Sequence, residues 1–233
     1  MPFYHDIDWN GKKKGENMLN TYYTVKEYGE KEITIQKSRF IGYIQRAESE
    51  DEAQAFIQKI QKKHYDATHN CSAYMIGENN QIQKANDDGE PSGTAGIPML
   101  EVLKRQDLKD TVVVVTRYFG GIKLGAGGLI RAYGGTTTEV IKAAGVVRRQ
   151  LMQGVALTVD YSLIGQLENE LRNAKYLIDS IDYLEKVTFN VYVEKGEEDS
   201  FKKWIVDLTS DNVDFKDLDQ AYIEIDVEST KEE

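Results

Sequence analysis

The chain has 233 residues, with 29 Lys and Arg, 39 Asp and Glu, and a single cysteine, Cys71. This length allows one large domain or two small ones, each with a buried core. One cysteine cannot form an internal disulfide, which excludes a disulfide-rich secreted scaffold. The sequence contains no apolar run of about 18 residues, which excludes a membrane-spanning helix. We therefore expect a cytoplasmic protein with no membrane partner.

The net charge of −10 is unevenly distributed along the chain. Residues 1–90 have a net charge of −3, residues 91–150 of +5 and residues 151–233 of −12. Local patches rather than total charge decide whether a protein binds nucleic acid, so the basic middle is the candidate binding region. The acidity of the remainder is explained equally well by solubility alone.

The first residues carry no secretory signal. Residues 1–17 have no apolar stretch of the kind that a signal peptide requires, and Met18 is a plausible alternative start. We interpret residues 1–17 as a loose leader or an appended segment.

Strand and helix patterns begin after this leader. Residues 33–45 predict a β region with a bend at Ser38-Arg39. Ser49 and Glu52 have the spacing of a capping box. The helix that follows has an apolar stripe with helical spacing, formed by Ala53, Phe56, Ile57 and Ile60. Residues 70–76 and 81–85 then predict two strands joined by a turn at 78–80.

The middle of the chain predicts a loop, a short helix, a strand and a long helix. In the loop NDDGEPSGTAGIP (86–98), Ser92 or Thr94 is expected to cap a helix that runs to about Arg105. The four valines 112–115 are typical of a strand covered on both faces. The helical pattern that follows reaches Ala144, and Gly134 and Gly135 predict a break in it or a close backbone contact.

The pattern after Gly145 predicts a second domain. Alternation over 155–161 indicates a strand, and Ser162 is placed to cap a helix. Two strands at 175–182 and 186–194, a helix from Glu197 and a last strand complete a βαββαβ order, which is the split βαβ plan. We predict an α+β protein with domains at 18–147 and 148–233.

The segment RYFGGIKLGAGGLIR (117–131) is the strongest candidate site. Seven glycines lie between Gly120 and Gly135, and glycines at a strand-to-helix turn let backbone N–H groups approach an anion. We predict a phosphate- or nucleic-acid-binding surface, with one of two neighbouring aromatics, Tyr118 and Phe119, facing outward to stack on bases. The alternative is a tightly packed turn, and the segment matches neither a Walker A loop nor a dinucleotide fingerprint. The residues predicted to form this surface are Arg117, Tyr118, Gly120, Gly121, Lys123, Gly125, Gly127, Gly128 and Arg131.

The polar loop before it is a second candidate. Asp87, Asp88 and Glu90, with Ser92 and Thr94 nearby, have the oxygen groups for Mg²⁺ binding or acid–base chemistry. Asp side chains also form hydrogen bonds with their own backbone in turns, and we favour that interpretation.

A nucleophilic site is the least supported. His69 and Cys71 share one face of a predicted strand, but no third group is available to orient them as a catalytic pair. The three histidines and the single cysteine have no zinc spacing. We therefore predict no catalytic residue, no metal and no cofactor.

Two long motifs resemble those of the YigZ/IMPACT family. They are NDDGEPSGTAGIPML (86–100) and VVVVTRYFGGIKLGAGGLIRAYG (112–134), and the resemblance extends over about residues 19–230. It implies a first domain like the second domain of ribosomal protein S-five and domain IV of elongation factor G. It also implies a ferredoxin-like second domain, like domain V of that factor. Eukaryotic relatives of this family regulate translation under amino-acid stress by competing for a kinase activator.

Three functions follow as hypotheses. The first is a translation-linked protein that binds RNA, the ribosome or a translation-factor partner through the basic glycine-rich segment. The second is an enzyme for a phosphorylated or nucleotide-like substrate, with one cleft between the 86–98 loop and the 117–131 segment. The third is a protein-interaction module, which an exposed apolar patch on that segment would favour.

Overall fold

A computed structural model describes residues 19–227, so the predicted leader at 1–17 lies outside the described residues. Within that range the chain forms ten strands and five α-helices. In chain order the elements are β1 (Thr21–Val25), β2 (Gly29–Ile35), β3 (Ser38–Arg46), α1 (Glu50–Lys63), β4 (His69–Ile76), β5 (Ile82–Asn86), α2 (Gly96–Arg105), β6 (Thr111–Tyr118), α3 (Gly125–Ala144), β7 (Val146–Val159), α4 (Ile164–Asn173), β8 (Leu177–Tyr183), β9 (Val187–Glu194), α5 (Glu198–Thr209) and β10 (Asp214–Asp226).

The chain divides into two compact units. The N-terminal unit is formed by Tyr22–Arg149 together with residues 224–227, and the C-terminal unit by residues 150–223 together with residues 19–21. This division falls inside β7, two residues beyond the predicted boundary between residues 147 and 148. The domain limits 18–147 and 148–233 remain a prediction.

The N-terminal unit is an antiparallel sheet with helices on both faces. Its strand order is β2-β3-β6-β4-β5. Alternate residues of the central strands point to opposite faces, so Val113 and Val115 pack with α2 and α3, whereas Val112 and Val114 pack with α1. The four valines of β6 are therefore all buried, as their composition predicted.

The hairpin turn between β2 and β3 lies earlier than predicted. Ser38 and Arg39, predicted to form the bend, are the first residues of β3, and the turn is formed by Gln36 and Lys37 instead. Register explains the difference, because Ile35 pairs with Ser38 and leaves two residues between the strands. The sequence gives little sign of this turn, since neither residue is a favoured turn former.

Helix α1 begins as the capping pattern predicted. The Ser49 hydroxyl accepts a hydrogen bond from the Glu52 backbone N–H at 3.2 Å. The Glu52 carboxylate reaches back to the N–H of Glu48 rather than of Ser49, at 2.8 Å. The predicted stripe from Ala53 to Ile60 is buried.

Two other predicted side-chain caps are wrong. Neither Ser92 nor Thr94 caps α2, whose N-cap is Ala95. Ser162 lies within a short 3-10 turn (Tyr161–Leu163) before α4, and neither the turn nor the helix has a side-chain cap. Of the two alternatives at Gly134-Gly135, the break is wrong, because α3 continues without interruption through both glycines. The close contact is not found either, because a Cβ on Gly134 would meet only Val102 Cγ2, at 3.8 Å, and a Cβ on Gly135 would meet nothing within 4 Å.

The C-terminal unit has the predicted ferredoxin-like order. Strands β7, β9 and β8 are neighbours, and β10 pairs with β7. The four strands therefore lie in the order fourth, first, third, second of a βαββαβ chain. Leu167 and Leu171 of α4 and Phe201 and Ile205 of α5 pack against the buried strand residues in one core. The α+β fold class and the split βαβ plan are confirmed.

Candidate nucleic-acid interface

Arg117, predicted to meet phosphates, is buried. Its side chain is 6% exposed, and its Nη1 atom forms an ion pair with Glu90 Oε1 at 2.6 Å, which the Tyr133 hydroxyl also contacts at 2.8 Å. The backbone places it there, because Arg117 lies opposite Phe40 and His69 in the centre of the sheet. Arg117 therefore holds the 86–95 loop against β6 instead of facing solvent. Sequence reasoning missed Tyr133, since nothing local marks it as a partner of Glu90.

The other loop carboxylates organise the backbone. Asp87 Oδ1 accepts hydrogen bonds from the N–H groups of Ala95 (3.0 Å) and Gly96 (2.8 Å), and Asp87 Oδ2 accepts one from Gly93 at 2.7 Å. Asp87 thus caps α2 from nine residues upstream. Burial acts to raise the pKa of Asp87, but these backbone donors lower it, and the net shift is downward. Asp88 Oδ2 accepts a hydrogen bond from the Asn70 N–H at 2.6 Å.

The remaining loop candidates fit the turn interpretation. The Thr94 hydroxyl donates to the Pro91 carbonyl at 2.6 Å, and Ser92 is exposed. Asp88 has a positive φ of 43°, and its N–H is bonded to the Asn86 side chain, as in an Asx turn. Among residues 19–227, no group of three or more His, Cys, Asp or Glu side chains is arranged to hold a metal ion.

Cys71 is placed as a structural residue. It is fully buried, and its Sγ contacts the Asp87 carbonyl at 3.0 Å. Burial raises the pKa of the Cys71 thiol to about 12, so the thiolate that acts as a nucleophile is scarcely populated at neutral pH. His69 Nδ1 contacts the Asp88 carbonyl at 2.7 Å rather than the cysteine.

Of the two neighbouring aromatics, Phe119 is the exposed one. Tyr118 is half-buried, and its hydroxyl donates to Asp66 at 3.1 Å, so it accepts from His64 Nδ1 at 2.8 Å. His64 Nε2 then accepts from the Tyr43 hydroxyl at 2.5 Å, and burial lowers the pKa of His64, in keeping with a neutral ring. Phe119 is 47% exposed. It is thus available to stack on a base, whereas Tyr118 is engaged at the sheet.

The exposed part of the segment combines cations, apolar side chains and glycines. We define the basic glycine-rich surface by its exposed members: Phe119, Gly121, Ile122, Lys123, Gly125, Ala126, Gly127, Ile130 and Arg131. Within residues 19–227, Lys123 and Arg131 have no ion-pair partner. A Cβ built on Gly127 would lie 3.6 Å from an Arg131 guanidinium nitrogen, so Arg131 reaches the first turn of α3.

The start of α3 favours an anion. Its N-cap, Leu124, provides no side-chain hydrogen bond, and its first turn holds no acidic residue. The backbone enters the helix through Gly121 and Gly125, whose φ values of 85° and 69° suit glycine. The first N–H groups of a helix lack partners within the helix and carry partial positive charge. Gly120 and Gly128 instead allow close packing, on the Lys37 backbone and on Leu124 respectively.

The structure thus brings only some of the predicted residues to one surface. Lys123, Arg131, Gly121, Gly125 and Gly127 lie on it. Arg117 is instead buried in its ion pair, and half-buried Tyr118 is hydrogen-bonded to Asp66 and His64. No helix among residues 19–227 is both long and apolar enough to cross a membrane.

Comparisons with known proteins agree with this architecture. Residues 36–141 match the Impact N-terminal domain, and residues 157–212 match a domain of unknown function, DUF1949. The chain is 58% identical to the IMPACT family member YvyE of Bacillus subtilis over 215 residues, which cover 92% of this chain and 99% of that protein. It is 36% identical to the IMPACT family member YigZ of Escherichia coli, over 61% of this chain and 74% of that one.

Eukaryotic and structural relatives extend the match. The Protein IMPACT homolog of Dictyostelium discoideum is 40% identical over 42% of this chain and 29% of that protein. A crystal structure of an hypothetical protein superimposes with a TM-score of 0.56 and 28% identity, covering 87% of this chain and 99% of that one. The fold is thus a mixed α/β one, with an Impact N-terminal domain followed by a second α/β domain. The chain belongs to the IMPACT family.

Proposed function

We propose that this chain is a cytoplasmic, translation-linked regulatory protein that binds RNA through its basic glycine-rich surface. The observation that carries the proposal is the pair Lys123 and Arg131, exposed and without an ion-pair partner in residues 19–227, beside the uncapped start of α3. Unpaired cations and helix N–H groups are the usual ligands of nucleic-acid phosphates. Exposed Phe119 adds a ring on which a base can stack.

Charge supports the N-terminal unit as the binding unit. Residues 150–223 hold 15 Asp and Glu but only 7 Lys and Arg, so the C-terminal unit repels a polyanion. The link to translation rests on family membership, because the eukaryotic members of this family regulate translation and one of them, the Protein IMPACT homolog of Dictyostelium discoideum, is among the relatives of this chain. The ribosome presents the same phosphate chemistry and is included in this proposal.

A charge-reversal experiment tests the proposal. Fluorescence anisotropy with a short single-stranded RNA would compare the wild type with Lys123→Glu/Arg131→Glu. The matched control, Lys59→Glu/Lys62→Glu, makes the same charge change on exposed positions of α1, which covers the opposite face of the sheet. We expect the surface variant to lose binding and the control to retain it. Equal affinities for both variants would contradict the proposal.

A protein-interaction module is the second candidate. Ile122 and Ile130, 40% and 45% exposed, accompany Phe119 on the same surface, and exposed apolar side chains favour a protein partner. If the wild type binds none of single-stranded RNA, duplex RNA or DNA, a protein partner becomes the better explanation. A translation factor would then be the first partner to test by co-purification.

An enzyme is supported less well. Glu90 does bring the 86–98 loop to Arg117, but the two charges are buried and pair with each other. The oxygens of Asp87 and Asp88 accept hydrogen bonds from the backbone. Carboxylates engaged in this way cannot accept a proton from a substrate without breaking the loop.

A further inference from the structure

The two-residue turn between β2 and β3 has an unfavourable backbone. Gln36 and Lys37 have φ values of 45° and 64°, in the left-handed region. Hairpin turns of this type favour Asn-Gly, because most residues with a Cβ are strained there, whereas Gly has none and Asn tolerates the left-handed region. The chain thus has a glutamine and a lysine at two positions where the backbone favours Asn and Gly. Strain of this kind, once observed, is a reason to look for a function.

The turn lies against the point where the basic glycine-rich surface begins. A Cβ on Gly120 would overlap the carbonyl group of Lys37, so the two backbones are in close contact there. The Ser38 hydroxyl also accepts a hydrogen bond from the Gly120 N–H at 3.1 Å. The position of Lys37 next to Gly120 is therefore fixed by backbone contacts.

Lys37 is a free cation at this place. It is exposed, and it has no ion-pair partner among residues 19–227. The next cation along the chain, Arg39, is engaged differently, since its guanidinium makes two hydrogen bonds to Glu32, at 3.0 and 2.9 Å. Of the two, Lys37 is the one available to a ligand.

We infer that Lys37 extends the RNA-binding surface and contacts a phosphate of the bound strand, with the strained turn holding it there. This inference rests on the proposed function and adds a residue from a second part of the chain to the same surface. The partner is the phosphate backbone, because an isolated lysine is a point charge that reads no base sequence. The strand is single, because exposed Phe119 on the same surface offers a ring on which an unpaired base can stack.

Turn variants separate binding from folding. Gln36→Asn/Lys37→Gly installs the favoured turn residues and removes the cation, whereas Gln36→Asn alone keeps the lysine. We expect the double variant to unfold at a higher urea concentration than the wild type, yet to bind RNA more weakly. The slope of log affinity against log salt should fall in magnitude by about 0.7, the contribution of one phosphate contact on a single strand. Gln36→Asn and Lys37→Arg should bind RNA as the wild type does.

Each outcome is informative. If the double variant binds with the wild-type affinity and salt slope while Lys123→Glu/Arg131→Glu loses binding, Lys37 lies outside the surface and only this inference fails. If the wild type does not bind the RNA, the proposed function and this inference both fail. Should the double variant not fold, Lys37→Gln gives the same binding test with the native turn partner in place.

Discussion

At the scale of single residues, the first residue of the RYFGG motif, Arg117, is structural rather than ligand-facing. Arg117 lies inside the N-terminal unit in an ion pair with Glu90. The Tyr133 hydroxyl donates a hydrogen bond to the same Glu90 oxygen. Breaking a buried ion pair leaves one charge without a partner in a poorly solvating environment. The pair therefore ties the 86–95 loop to the central strand of the sheet.

Removing one charge of this pair should be costly. We expect Glu90→Gln to lower the free energy of unfolding at pH 7 by about 3–5 kcal/mol, measured by urea denaturation. The control is Glu101→Gln, which removes the carboxylate of an exposed pair with Lys104 and should have little effect. Equal, small losses in both variants would show that the buried pair contributes nothing.

The cysteine gives a second prediction at this scale. Burial raises the pKa of Cys71 to about 12, so at pH 8 we expect iodoacetamide to label the folded protein far more slowly than the urea-unfolded protein, whose thiol has an ordinary pKa. Mass spectrometry of both samples measures the difference. Rapid labelling of the folded protein would reopen a chemical role for Cys71.

At the scale of elements, local patterns predicted most of the secondary structure and the cap of α1, whereas a contact across a loop decides the cap of α2. The Ser49 cap and the α1 stripe depend on residues within one or two turns, so the sequence alone predicted them. The cap of α2 comes from Asp87, across a loop whose course no local pattern specifies. The run of α3 through Gly134 and Gly135 likewise reflects its packing on the sheet, which outweighs weak helix propensity.

The cap of α2 can be tested by substitution and pH. Asp87→Ala should lower the free energy of unfolding by about 1–2 kcal/mol at pH 7, since it removes the acceptor of three N–H groups. The pKa of Asp87 is lowered in the folded state, so its stabilisation is complete above the ordinary aspartate pKa of 3.8 and is lost as the pH falls through the lower folded value. The difference between the two proteins should therefore shrink in acid. Ser92→Ala, at the cap position that the sequence suggested, should leave stability unchanged.

The uninterrupted helix gives another prediction. A Cβ on exposed Gly135 meets no heavy atom within 4 Å, so Gly135→Ala should raise the free energy of unfolding by up to about 1 kcal/mol. Gly128→Ala is the contrasting variant. It should not stabilise the protein in the same way, because its Cβ would approach Leu124 Cβ to 2.9 Å. A loss of stability in Gly135→Ala would indicate a constraint that the described packing does not contain.

At the scale of the whole molecule, the fold was predictable and the site only in part. The βαββαβ order and the two motif segments are local signals, and they led to the fold class and the family that the structure and the comparisons support. Which basic residues face solvent depends on strand pairing. That is why the sequence predicts Arg117 on the surface, where the structure has it buried, and does not mark Lys37, which is exposed.

The most direct test of the RNA-binding proposal is the salt dependence of binding by the intact wild-type protein. Anisotropy titrations with a short single-stranded RNA between 50 and 200 mM salt give the slope of log affinity against log salt. Three phosphate contacts, by Lys37, Lys123 and Arg131, predict a slope of about −2, because each contact on a single strand contributes about −0.7. An affinity that stays constant over this range, or the absence of binding at the lowest salt, would contradict it.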